Sequence, residues 1–229
     1  MNLKELLAEL IGTFTLCFIG IGSVIVAPQF GIVAPALGHG LVLVGLIFAY
    51  GHLSGAQFNP AVTFGLLVGQ KITPMKAGAY IVVQFIGGII AAYLIVTLVG
   101  GADGAALTGF LGGAEFNYGQ TTGFLTENNV WQAAAIEAVL VFFLVSAVYQ
   151  AAVYGKAGNL AAMAIGLTLA ACIFATGGMT GASVNPARTF GPALVAGEFS
   201  YVLPYFVGLF AGGAIAGAIH GYVLTPDEE

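Results

Sequence analysis

The stretch GHLSGAQFNPAVTFG, residues 51–65, returns as GGMTGASVNPARTFG at residues 177–191, an offset of 126 with nine of the 15 positions identical. Self-similarity at this distance marks a chain built from two copies of one unit. A weaker echo pairs Glu9 in AELIGTFTLCFIG with Glu137 in AAIEAVLVFFLVS, at an offset of 128. The two copies differ at one telling place: where the first has Val62, the second has Arg188, one of only five basic residues in 229.

The material around these copies is membrane-like. Hydrophobic residues make up 59 % of the chain and charged residues 7 %, against about 25 % charged in soluble domains. No Asp, Glu, Lys or Arg occurs from Leu10 to Gln70, nor in the runs 77–102, 138–155, 157–187 and 199–226. A spanning helix needs about 20 apolar residues, and the pattern predicts six, over 5–26, 33–54, 77–99, 130–153, 158–177 and 201–223. The expected fold class is therefore an all-α membrane protein in a lipid bilayer. The N-terminal MNLKELLAEL places Glu5 and Glu9 inside what would be the apolar part of a signal peptide, so it is read as the start of the first span.

Cytoplasmic loops are enriched in Lys and Arg. With six spans and both termini cytoplasmic, Lys4, Lys71, Lys76 and Lys156 fall inside and Arg188 alone falls outside. The expected location is a plasma membrane or inner membrane. The acidic tail Asp227-Glu228-Glu229 reads as solvated, and Cys17 and Cys172, both within spans, as small buried hydrophobes. Nothing in the composition points to a nucleic-acid partner.

Each copy holds three spans, an odd number, so the second must enter the membrane from the opposite face. Inverted repeats of this kind build channels and transporters, with the working site near the midplane. One channel domain, 1–229, is expected, with repeats at about 1–99 and 130–229. The Gly-rich segment 100–129, holding Asp103, Glu115 and Glu127, joins them on the outer side. Its contribution to the pore mouth is left open.

After each Asn-Pro-Ala comes an apolar stretch too short to span, AVTFGLLVG or ARTFGPALVAG. Such a segment reads as a re-entrant half-helix, tolerable beside a water-filled cavity. Asn59 and Asn185 suit the N-cap, and Pro60 and Pro186 the first helical position. Gly55 and Gly181 are expected to let the lead-ins run extended, with carbonyls facing a lumen. Two half-helices of roughly 15 Å, entering a core about 30 Å thick from opposite faces, meet N-terminus to N-terminus at its centre. That puts two positive dipole ends in the pore. Each Asn oxygen can accept from its own helix while the NH₂ donates into the lumen. A water that accepts from two such donors cannot accept from a neighbouring water, which breaks a proton wire; the dipoles repel cations.

The doubled motif, with AELIGTFTL, the Glu of AAAIEAVL and GASVNPARTFGPAL, resembles the aquaporins of the major intrinsic protein family over nearly the whole chain. The resemblance implies six transmembrane helices plus two re-entrant half-helices in an inverted 3+3 repeat, a passive channel, no enzyme activity, no metal or other cofactor, and a homotetramer with a pore in every subunit. It places a central constriction at Asn59, Pro60, Ala61, Asn185, Pro186 and Ala187. Pore-lining carbonyls fall at Gly55, Ala56, Gln57, Gly181 and Ser183, and the outward selectivity filter at His39, Ile173, Ala182 and Arg188. Water-strict members usually carry Phe and His at the first two filter positions; this set resembles plant tonoplast intrinsic proteins. The expectation is a wider aperture that passes water with ammonia, hydrogen peroxide and urea.

Glu9 and Glu137 are expected to support the lead-ins by accepting from their backbone N–H groups, and His52 to anchor the first one. Glycerol conduction is the alternative; glycerol facilitators usually follow the Arg with Asp, whereas this chain has Thr189, which with Ala193 and Tyr205 looks like a water channel, while Phe206, where Trp is usual, departs from that pattern. A coupled secondary transporter is a further alternative, less favoured because the midplane offers amides rather than ionisable groups. The series Gly208, Gly212, Gly213, Gly217 and Gly221 reads as close helix packing, within a protomer or between protomers.

Overall fold

The structure is a computed structural model that describes residues 2–100, 109–113 and 116–226. Asp103, Glu115 and the Asp227-Glu228-Glu229 tail lie outside the described residues. Among the described residues, six helices are long and apolar enough to cross a membrane: Leu3–Ile25, Val33–Ser54, Pro74–Val99, Val130–Val153, Gly158–Thr180 and Val202–Val223. They are called the first to sixth spans below. Two short helices, Pro60–Val68 and Pro186–Ala196, follow the second and fifth spans. The side holding the start of the first span and the end of the sixth is called the inner side.

The second span covers the expected 33–54, whereas the fifth runs farther than its glycines suggest. The fifth reaches Thr180, beyond the expected 177, because Gly177 and Gly178 stay helical. Both spans end on a glycine with left-handed backbone, Gly55 at φ 87° and Gly181 at φ 79°. These glycines are helix C-caps rather than extended residues, because a left-handed residue closes the last turn and glycine adopts it without a Cβ clash.

The two halves exchange their half-helices. The first span packs on the third and the fourth on the sixth, whereas half-helix Pro60–Val68 packs on the sixth span and Pro186–Ala196 on the third. Glycine pairs make this possible. A Cβ at Gly87 would stand 2.6 Å from Leu10 O, and one at Gly88 2.6 Å from Ala187 O. Their counterparts Gly212 and Gly213 leave no room beside Ala138 O and Ala61 O. One glycine of each pair thus admits the first span of its own half, and the other admits the half-helix of the opposite half. FIGGII (85–90) and FAGGAI (210–215) are a third matched pair in the sequence, at an offset of 125. The second and fifth spans cross on another pair: a Cβ at Gly40 would lie 2.8 Å from Gly166 O, and one at Gly166 2.6 Å from Gly40 O. Without a hydrophobic force between helices in lipid, such backbone contact carries their association. The Gly208–Gly221 series therefore packs within the protomer, Gly217 against Gly65 and Gly221 against Gly69.

On the inner side the fourth and sixth spans both finish in a π-helical turn, Val148–Val153 and Ile219–Val223. His220, buried, stacks on Tyr149 at 5.6 Å between ring centroids, and Tyr149 Oη donates to Gly65 O at 3.2 Å. These contacts tie both spans to the end of the first half-helix. Cys17 and Cys172 are free and buried.

Replacing Gly217 with Val should abolish folded, monodisperse protein in detergent, because its Cβ collides with Gly65 backbone. Gly45→Ala, at a position open to 4 Å, should instead leave stability unchanged or raised by up to about 1 kcal/mol. Size-exclusion profiles and melting temperatures of the two variants check this contrast.

Candidate functional site: a lane between two half-helices

Each lead-in is an unusual piece of backbone. After Gly55 come Ala56 at φ 51° and Phe58 at φ 50°; after Gly181 come Ala182 at φ 41° and Val184 at φ 56°. Left-handed conformations are uncommon for residues with a side chain, and for β-branched Val184 they are true outliers. A buried carboxylate holds each one. Glu9 Oε1 accepts from Gln57 N at 2.9 Å and Oε2 from Phe58 N at 2.7 Å. Glu137 Oε1 accepts from Ser183 N at 2.9 Å and Oε2 from Val184 N at 2.8 Å. Both carboxylates are fully buried.

His52 does not anchor the first lead-in. It is exposed and makes no hydrogen bond among the described residues, because its place on the second span turns it away from the backbone that follows. Ser54 does this work: Oγ donates to Glu9 Oε1 at 2.6 Å and accepts from Ala56 N at 3.0 Å. Thr180 repeats the arrangement, donating to Glu137 Oε1 at 2.7 Å and accepting from Ala182 N at 3.0 Å. The matched Ser and Thr in GHLSGA and GGMTGA were the available sequence signal. Tyr80 and Tyr205 complete the symmetry by donating to Ser54 O at 3.2 Å and Thr180 O at 2.7 Å. Gln84 has no such twin; this lone amide in an apolar span donates to Glu9 Oε2 at 2.8 Å and Thr63 Oγ1 at 2.9 Å.

Asn59 and Asn185 are extended N-caps whose Oδ1 atoms accept from Ala61 N and Ala187 N, both at 2.9 Å. Their amide nitrogens do more than point at the lumen. Asn59 Nδ2 donates to Val184 O at 2.8 Å, and Asn185 Nδ2 to Phe58 O at 2.9 Å. Each asparagine thus ties its own helix start to the other half's lead-in, leaving one N–H of each NH₂ for a solute. Pro60, Ala61, Pro186 and Ala187 are buried behind them.

A narrow lane of about 50 Å³ runs past these asparagines. His39, Gly55, Ala56, Gln57, Ser183 and Arg188 border it, with Val62 of the first half-helix and apolar side chains from four spans forming the rest of the wall. Beyond it toward the outer side lies a vestibule of about 320 Å³ bordered by Ile173 and Gly181. Ala182, buried, borders neither cavity. Asn117, Gln120 and Thr122 of the outer loop also border the vestibule. Tyr201 Oη, donating to Gln120 Oε1 at 3.2 Å, and Thr121, donating to Thr189 at 3.4 Å, hold that loop in place.

Arg188, which borders the lane, is 2 % exposed. Its Nε donates to His39 Nε2 at 3.1 Å, while His39 Nδ1 lies 2.8 Å from Pro35 O. A carbonyl only accepts, so Nδ1 carries the proton and Nε2 is the acceptor for the guanidinium. Gly20 leaves the space that the imidazole fills, since a Cβ there would collide with Nε2. Arg188 Nη1 is buried without a protein partner among the described residues.

Two mirrored half-helices, capped by asparagines that cross-bond at the centre of a lane and guarded by one buried arginine, set the context for comparison with known proteins. The family model described as major intrinsic protein matches residues 1–220. The chain belongs to that family. Its members include relatives such as Aquaporin TIP1-1 of Zea mays, 36 % identical over 95 % of this chain and 86 % of that relative. Aquaporin TIP2-1 of Arabidopsis thaliana is 35 % identical over 100 % and 90 %. Among solved structures, the aquaglyceroporin from Plasmodium falciparum superposes with a TM-score of 0.79 at 21 % identity, over 96 % of both chains. At that identity the likeness bears on the fold, which is the aquaporin fold. The chain is thus an integral membrane channel protein of the aquaporin type.

Glu137→Gln places an NH₂ where an oxygen accepts from a buried backbone N–H, at Ser183 or at Val184. A buried donor left without an acceptor costs about 1–3 kcal/mol, so a lowered melting temperature in detergent is expected. An unchanged melting temperature would show that the carboxylate is not what holds the lead-in.

Proposed function

We propose that this passive channel for water also conducts ammonia, hydrogen peroxide and urea, with His39, Ile173 and Arg188 as its filter. The observation that carries the reading is the Arg188 Nε to His39 Nε2 bond at 3.1 Å. It draws the guanidinium toward the second span, and apolar Ile173 borders the adjoining vestibule. A constriction with its hydrogen-bonding groups on one side and an apolar surface on another admits solutes that satisfy only part of their hydrogen bonds in transit. Charged solutes meet the arginine and the two helix N-termini, which raise the barrier for cations.

At the centre, the remaining N–H of Asn59 and of Asn185 donates to the passing molecule. A water held by both cannot also accept from the next water, so the file conducts solute and not protons. Thr189 stands where glycerol facilitators usually carry Asp. Here its buried hydroxyl bonds Ser183 Oγ and accepts from Thr121 Oγ1, fixing the loop over the filter. The protein works as a homotetramer with a pore in each subunit and both termini on the cytoplasmic side; the lysines on that side support the orientation.

Stopped-flow measurements on proteoliposomes test the reading. Water, urea and ammonia permeabilities of the wild type should all exceed those of empty liposomes. Ile173→His, which adds a second hydrogen-bonding wall, should lower urea permeability about tenfold while water falls less, the discrimination that about 1.4 kcal/mol supplies. Wild-type urea and ammonia permeabilities equal to empty liposomes would overturn the solute range.

A further inference from the structure

Gln57 and Ser183 hold matched places in the two lead-ins, and the fold treats their side chains in opposite ways. Ser183 Oγ donates to Asn185 O at 2.9 Å, accepts from Asn185 N at 3.3 Å and bonds Thr189 Oγ1. Its hydrogen-bonding capacity is engaged by the protein. The Gln57 side chain is half-buried, its Oε1 is buried without a partner, and its amide nitrogen makes no hydrogen bond among the described residues. Only the backbone of Gln57 is tied, through its N–H to Glu9.

The Oε1 of this amide is withheld from water and left unbonded, which is unfavourable, and such groups in native proteins call for an explanation. Here the surroundings supply one. Gln57 borders the inner part of the lane, where the neighbouring wall side chains are Leu43, Ile47, Leu144, Val148, Ile165 and Leu169. Against that apolar wall it is a polar side chain that no protein group holds in one orientation. The terminal amide torsion is broad and roughly two-fold, so either the carbonyl oxygen or the NH₂ can turn toward a molecule in transit. Asn59 and Asn185 offer only donors, because their oxygens cap the half-helices.

We propose that the Gln57 side chain is a solute-binding station of the inner half-lane and a specificity-determining residue for small neutral solutes that both donate and accept hydrogen bonds, water and urea above all. Its carbonyl takes an N–H of urea or an O–H of water as the molecule leaves or approaches the paired asparagines. The station replaces solvent where the wall is otherwise apolar, and it has no counterpart in the outer half, where Ser183 is engaged and Arg188 and His39 do that work. The urea part of this inference rests on the solute range proposed above.

Gln57→Met keeps the length of the side chain and removes both hydrogen-bonding atoms. In proteoliposomes with equal incorporated protein, it should lower water permeability per channel about threefold and urea about tenfold, in line with one and then two lost neutral hydrogen bonds. The urea-to-water ratio therefore falls. Gly45→Ala, at an open position outside the lane, should leave that ratio at its wild-type value. In a second arm, a charged, membrane-impermeant methanethiosulfonate applied to Gln57→Cys should block water flux, while the wild type, whose Cys17 and Cys172 are buried, stays open. An unchanged water permeability in Gln57→Met, or a Gln57→Cys channel that the reagent leaves open, overturns the station. Should the wild type conduct water but no urea, the solute range fails while the water and thiol arms still decide Gln57. Should Gln57→Met fail to incorporate, the thiol arm decides alone.

Discussion

Two buried carboxylates hold this structure at its weakest points. A chain that enters a membrane, stops half-way and turns back leaves backbone groups without helical partners, where water is scarce and each unsatisfied group is costly. Glu9 and Glu137 take two consecutive N–H groups from each lead-in. Those four bonds hold the left-handed residues Ala56, Phe58, Ala182 and Val184 in conformations they would not adopt alone. With the N–H groups directed to the carboxylates, the lead-ins can border a lane. Ser54 and Thr180 bind the same carboxylates to the helix ends, so the strain is contained within a few residues.

The second constraint is the exchange of half-helices between the halves. Each half-helix leans on the third span of the other copy, across glycines that bring backbone against backbone. Each asparagine bonds the opposite lead-in. Neither half could therefore build its share of the centre alone, since the donor that fixes one lead-in comes from the other. The symmetry ends where selectivity begins. Val62 has Arg188 as its twin, Gln57 has Ser183, and Gln84 has none, so the outer and inner halves of one lane differ in chemistry while sharing a backbone plan.

Much of this was legible because the physics of lipid leaves few choices. Six apolar spans with few charges, a doubled Asn-Pro-Ala and an odd number of spans per copy lead to one architecture, and the asparagine caps follow from residue type alone. Where the sequence misled, a side chain's direction was at issue. His52 was expected to anchor the first lead-in, yet its helical position turns it outward and Ser54, two residues on, meets Glu9. Gly177 and Gly178 looked like the end of a helix, yet the left-handed cap falls at Gly181. The glycine pairs of FIGGII and FAGGAI were present in the sequence, but their meaning lies in which backbone each one admits.

The sequence by itself determined the class of protein, its inverted repeat, its half-helices and the residues at its centre, because hydropathy, charge placement and capping are local properties. Tertiary structure alone decided that each asparagine amide crosses to the opposite lead-in, that His39 accepts from Arg188, and that Gln57 is left open while Ser183 is engaged. Those partners stand 125, 127 and 149 residues apart for the first two relations, and the third is a contrast between two packed environments. No local pattern encodes such distances; they exist only once six spans have packed and the halves have exchanged their helices.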